Sequence, residues 1–303
     1  MFKISQVIKK AEFLGHKDCI YALEKETEET FFSAGSDGLV VRWHVAKPEE
    51  GELVANVANS VYALHYLKNE HQLLLGQNHE GVYKIDLQNN AIIQSAQITS
   101  SQIFDIKTSG KYVLIATGDG YLIILSRLDL SVISKIKLSE KSARCIAINP
   151  HHGTYAVGFS DFSIQIYSVV DNRFIHRLQG HKNSVFSLRF SPDGRYLLSA
   201  GRDAALKIWD TEKFLLEQSI PSHLFAVNDI QYREDGKYFA TASMDKTIKI
   251  WDGLTFRLLK VIDKARHGNH STSVNKIIWL NNDLISASDD KKIYMWEMQD
   301  QIF

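Results

Sequence analysis

Four stretches of this 303-residue chain carry a histidine, a hydroxyl residue and an aspartate in the same order. They are His16, Ser33, Asp37; His181, Ser199, Asp203; His223, Thr241, Asp245; and His270, Ser286, Asp290. These are the residue types of a serine-hydrolase triad, in which the histidine takes the serine proton and the carboxylate orients the imidazole. Repetition argues against that chemistry, because one chain has no use for four dispersed copies of an active site. A fourth residue travels with each set, six positions after the aspartate: Trp43, Trp209, Trp251 and Trp296. An indole N–H can only donate. The sequence therefore predicts a buried relay, indole to hydroxyl to imidazole to carboxylate, that satisfies every polar group and fixes one register. The Gly-x-Ser-x-Gly turn that would expose a serine nucleophile is also missing. No catalytic residue is expected.

The remaining candidates for chemistry are weak. His151-His152 precedes Gly153 in a turn-like stretch, and His267 stands three before His270 without a third ligand at metal spacing. Cys19 and Cys145 form no CxxC pair. "GDGY" and "GSDG" precede no helix, so they are not phosphate loops. No metal and no cofactor are expected. Lys+Arg and Asp+Glu both number 35, which leaves no bulk charge to draw the chain onto nucleic acid or anionic lipid. No stretch approaches 18 apolar residues, and the first residues lack the apolar run of a signal peptide. A soluble, cytoplasmic protein is expected, with partners that are neither nucleic acid nor membrane.

The elements that must position the relays follow from their period. Asp37, His79, Asp119, Asp161, Asp203, Asp245 and Asp290 recur at intervals of 42, 40, 42, 42, 42 and 45. Six residues after each stands Trp43, Ile85, Leu125, Tyr167, Trp209, Trp251 or Trp296. Roughly 18 residues before each comes a second echo: "IYAL", "VYAL", "IFDI", "ARCI", "VFSL", "VNDI", "VNKI". Each unit holds short segments of period-two alternation split by Gly, Asp and Asn, such as "VFSLRF", "RYLLSA", "ALKIWD" and "LLEQSI". Four short strands at such a period make a propeller blade. The expectation is an all-β, seven-bladed propeller in a single domain over residues 1–303. The seventh unit lacks a fourth strand, and "KISQVIKKAEF" precedes the first "GH", so residues 3–12 are expected to supply the outer strand of the last blade.

The pairs "GH" at 15–16 and 180–181 and "WD" at 209–210 and 251–252 resemble those of the WD40-repeat family of β-propellers. The resemblance spans the chain and fades in units two to four, where "WD" becomes Ile85-Asp86, Leu125-Ser126 and Tyr167-Ser168. It implies an interaction platform whose central channel is rimmed by two recurring positions. One lies five residues after the histidine: Tyr21, Tyr62, Phe104, Arg144, Phe186, Asn228 and Asn275. The other precedes the turn aspartate and includes Arg202, Met244 and Asp289. The expected function is a non-enzymatic protein–protein scaffold binding extended peptide segments on this face, alone or within a multiprotein complex. The alternative is a propeller enzyme or small-ligand binder that uses the channel.

Overall fold

The computed structural model describes residues 4–300. Among the described residues, twenty-eight strands form seven antiparallel four-stranded sheets, arranged as blades around a central channel. Blade 1 comprises Ile20–Lys25, Thr30–Gly35, Leu39–His44 and Lys47–Asn56, from the channel outward. Blade 5 comprises Val185–Phe190, Tyr196–Gly201, Ala205–Asp210 and Leu215–Pro221. The four segments read from the sequence as one unit match these strands within a residue or two.

Burial explains the composition of each strand. Both faces of a middle strand are covered by the neighbouring blades, so these strands read as nearly continuous apolar runs: Tyr196–Gly201 is buried at five of six positions. The outermost strand Leu215–Pro221 is almost wholly exposed and carries Glu217, Gln218 and Ser219. Seven apolar clusters fill the seven spaces between blades. Leu198, Ile208, Phe239 and Trp251 pack blade 5 on blade 6, for example, and Phe13, Phe31, Trp43, Leu280 and Ile285 pack blade 7 on blade 1.

The ring is closed by Ile4–Leu14, which pairs antiparallel with Lys292–Asp300 as the outer strand of blade 7. The strand runs two residues past the expected end at 12. Lys3 and residues 301–303, within the spans expected from sequence, lie outside the described residues. Phe13, 1% exposed, sets its ring edge-on to Phe31 at 5.2 Å and to Trp43 at 5.6 Å, tying the closing strand into blade 1. A single helical turn, Lys264–His267, links blades 6 and 7 and is capped by the Asp263 carboxylate. It is too short for a 3.6-residue period to reveal. Among the described residues no helix is long and apolar enough to cross a membrane.

One irregularity repeats in every blade. The register of the innermost strand slips at its second residue, between Ile20/Ala22, Val61/Ala63, Ile103/Asp105, Ala143/Cys145, Val185/Ser187, Val227/Asp229 and Val274/Lys276. The skipped residues are Tyr21, Tyr62, Phe104, Arg144, Phe186, Asn228 and Asn275. A β-bulge re-aims the side chain it carries.

Candidate functional site

In blade 5, Trp209 Nε1–H donates to Ser199 Oγ at 2.8 Å. Ser199 Oγ lies 2.7 Å from His181 Nε2, and His181 Nδ1 lies 2.9 Å from Asp203 Oδ2. With the indole donating, the hydroxyl keeps its own proton for Nε2, the arrangement in which an Nδ1–H faces Asp203. Asp203 also accepts the Lys182 N–H at 2.9 Å. The same relay joins Trp43, Ser33, His16 and Asp37; Trp251, Thr241, His223 and Asp245; and Trp296, Ser286, His270 and Asp290, each link between 2.7 and 3.0 Å. Burial pushes His16 and His223 below the ordinary imidazole value, against the pull of their aspartates. Burial alone would raise Asp203 and Asp290, but hydrogen bonds from the histidine and the following N–H hold both carboxyls below their usual range. The glycine before the histidine has its own reason: a Cβ on Gly180 would meet Trp209 Cη2 at 3.1 Å, and one on Gly15 would meet Trp43 Cη2 at 3.2 Å.

Blades 2 to 4 are built differently. In blade 4, Ser139 stands where the histidine would and donates to Asp161 at 2.8 Å, while Tyr167 donates to Gln165. In blade 3, Thr117 Oγ1 donates to Asp119 at 2.5 Å. In blade 2, His79 reaches the Ser100 carbonyl of the following loop at 2.8 Å.

The seven bulged residues converge on the mouth of the channel, a cavity of about 790 Å³. Five form an unbroken arc. Tyr21 meets Tyr62 edge-on at 4.8 Å, and Tyr62 lies parallel to Phe104 at 5.8 Å. The Arg144 guanidinium covers Phe104 at 3.8 Å and Phe186 at 4.8 Å. Burial lowers the Arg144 pKa and pushes the Tyr21 hydroxyl up to about 12. The other two are spent on neighbouring blades. Asn228 donates to Ser273 Oγ at 2.9 Å and the Val274 carbonyl at 2.8 Å; Asn275 donates to the Ile20 carbonyl at 3.0 Å and Asp289 Oδ1 at 2.7 Å. Arg202, Met244 and Asp289 do not line the channel. Arg202 and Met244 are exposed on turns outside it, and Asp289 is half-buried beside Asn275.

Sequence reasoning missed the residues deeper in the channel: Glu24, His65, Asp105, Lys107, Arg189, Asp229 and Lys276. The bulge shifts the alternation by one residue, so simple counting points them elsewhere. The acids have a structural task. The innermost strands present a free edge, whose N–H groups need acceptors. Glu24 accepts from Tyr66 N at 2.9 Å, Asp105 from Ile146 N at 2.8 Å, and Asp229 from Ile277 N at 3.2 Å, each bond tying one blade to the next. Ser187 Oγ accepts from Ile230 N at 3.0 Å in the same way. Asp105 is further bonded to Lys107 at 2.9 Å, and Lys276 lies 3.6 Å from Asp229. The signal that would have found them is a polar residue next after the rim position, as at Asp105, Ser187, Asp229 and Lys276, and three after it, as at Glu24, His65, Lys107 and Arg189.

Comparison with known proteins agrees with this architecture. The family model described as "WD domain, G-beta repeat" matches residues 172–210 and 215–252. The striatin homolog of Dictyostelium discoideum is 22% identical over 238 residues, covering 66% of this chain and 28% of that protein. The periodic tryptophan protein 2 homolog of Mus musculus is 25% identical over 223 residues, covering 65% of this chain and 24% of its own length. The chain thus spans less than a third of these relatives. The solved WD40 β-propeller domain of Doa1 superposes with a TM-score of 0.86 at 16% identity, covering 97% of each chain.

Proposed function

Since this chain is a WD40-repeat β-propeller, we propose that it is a non-enzymatic protein–protein interaction scaffold whose channel mouth binds extended peptide segments. WD40 propellers are typically interaction scaffolds and generally non-catalytic. The observation that carries the reading is the arc of Tyr21, Tyr62, Phe104, Arg144 and Phe186. Aromatic and arginine side chains are the anchor types enriched at interfaces. The Arg144 guanidinium is held against two rings, Phe104 and Phe186, which leaves its N–H groups for an acceptor. A carboxylate meets such groups in bidentate fashion. The bonds of Asn228 and Asn275 to adjacent blades hold the opposite side of the mouth rigid, which reduces what binding must order.

The channel acids favour this reading over an enzyme or small-ligand binder, because Glu24, Asp105 and Asp229 each already accept a backbone N–H of the next blade and lie beside His65, Lys107 and Lys276 respectively. We take the whole chain as one domain acting in the cytoplasm on other proteins. Nucleic acid, membrane and cofactor have no part in this proposal, in keeping with the balanced charge of the sequence. The test is affinity capture with rim variants. Phe186→Ala and Arg144→Ala are each expected to lose a partner held by the wild-type protein, with a penalty of about 2 kcal/mol or roughly thirtyfold in affinity. Lys213→Glu, in the turn before the outer strand of blade 5, keeps that partner. If all rim variants retain every partner at unchanged melting temperature, the mouth is not the principal surface.

A further inference from the structure

The repeats serve as internal controls for one another, and blade 6 departs from them. After the relay histidine, blades 1, 5 and 7 continue with Lys17-Asp18, Lys182-Asn183 and Ser271-Thr272; blade 6 continues with Leu224-Phe225. Before the turn aspartate they place Ser36, Arg202 and Asp289; blade 6 places Met244. Leu224 is 84% exposed, Phe225 60% and Met244 53%. The backbone beneath them is fixed. Leu224 N donates to Asp245 at 3.0 Å, Met244 N to the Ala226 carbonyl at 2.9 Å, and Ser243 Oγ to the Phe225 carbonyl at 3.3 Å. These bonds hold the loop and the turn together, so the three apolar residues stand on adjoining segments of one face. None joins the buried clusters on either side of blade 6. Large apolar side chains gathered at one exposed place mark interaction sites.

The charges around this spot are one-sided. Lys182, Arg202 and Lys246 are exposed on the adjoining loop and turns. The aspartates of the same turns are spent: Asp203 on His181 and Lys182 N, Asp245 on His223 and Leu224 N. The loop also runs straight into the channel mouth, since Phe225 is followed by Ala226, Val227 and the rim residue Asn228. We propose that Leu224, Phe225 and Met244 form an apolar step on blade 6. It seats a bulky apolar side chain of an acidic partner segment that continues into the mouth. The proposal rests on the mouth as a peptide site and adds a second contact and a composition for the partner.

The test uses a displayed random-peptide library selected on the intact protein, followed by affinities of one synthetic selected peptide. The paired substitution Leu224→Ser with Phe225→Thr copies the residues blade 7 uses at the same place, so the fold is kept; the melting temperature checks this. Selected peptides should combine Leu, Ile, Phe or Trp with Asp or Glu. The paired variant should weaken the synthetic peptide about tenfold or more, as should Phe186→Ala. Wild-type affinity in the paired variant, with loss in Phe186→Ala, overturns the step and leaves the mouth reading standing. Wild-type affinity in both overturns both. Three further results refute the acidic segment as occupant: no selected peptide; self-association abolished by the paired variant; or cosedimentation with phosphatidylserine vesicles that the paired variant abolishes.

Discussion

Removing the Ser199 hydroxyl is a sharp test of the relay, because one oxygen serves two partners. It accepts the Trp209 indole N–H at 2.8 Å and donates to His181 Nε2 at 2.7 Å, with Ser199 0%, Trp209 3% and His181 7% exposed. Ser199→Ala orphans both groups in a site closed to water. A buried polar group left without its partner costs about 1–3 kcal/mol, so the pair should cost about 2–6 kcal/mol. Trp209→Phe removes one donor but leaves the hydroxyl bonded to His181, so its hydrogen-bond penalty is about half as large, with a packing loss added. In the double variant the orphaned indole no longer exists. The double should therefore cost less than the sum of the singles by about 2–6 kcal/mol, because both the orphaned indole and the separately counted Trp–Ser bond drop out. Denaturant unfolding at constant slope measures all four corners of this cycle. Strict additivity, or a Ser199→Ala penalty under about 0.5 kcal/mol, would refute the relay as drawn. A hydrolytic activity that disappears in Ser199→Ala at unchanged stability would restore the catalytic reading.

Two other outcomes follow from the same geometry. Deleting residues 1–12 strips the outer strand from blade 7 and bares the edge of Lys292–Asp300, so the thermal midpoint should fall markedly and aggregation should rise; an unchanged melting curve would place closure elsewhere. Acid should destabilise the protein. His16 and His223 are held below their ordinary 6.5, so their contribution is complete above that pH and is lost as pH falls through the folded values. The lowered Asp203 and Asp290 add a further loss below their ordinary 3.8. Urea midpoints should therefore decline from pH 7.5 to 5 and more steeply below 4; a midpoint that rises on acidification would refute the neutral, buried histidines.

The sequence was most readable where physics imposes a period. Middle strands such as Tyr196–Gly201 must be apolar on both faces, and Trp209 must find Ser199, so spacing alone located blades and relays. The mouth positions Tyr21, Tyr62, Phe104, Arg144 and Phe186 were reachable by counting from the histidine. Counting could not reveal that each is a bulge, because a register slip is a property of the partner strand as much as of its own residues. For that reason Asp105 and Asp229 escaped, and with them the inter-blade ties. In blade 4, Ser139 replaces a histidine with a shorter donor, a change of type that spacing does not flag. The contact of Arg144 with Phe104 and Phe186 needed three blades to be placed side by side before it could be seen.

The pairing of Ile4–Leu14 with Lys292–Asp300 also sets a schedule for biosynthesis. A ribosome adds about 5–20 residues per second, so the closing strand waits roughly a quarter of a minute to a minute for its partner. Throughout that wait Val7 and Phe13, both buried in the finished ring, have no blade 7 to cover them. Assembly of the ring is thus a rendezvous between the first and last strands described, with apolar surface of the closing strand left uncovered until the seventh blade emerges.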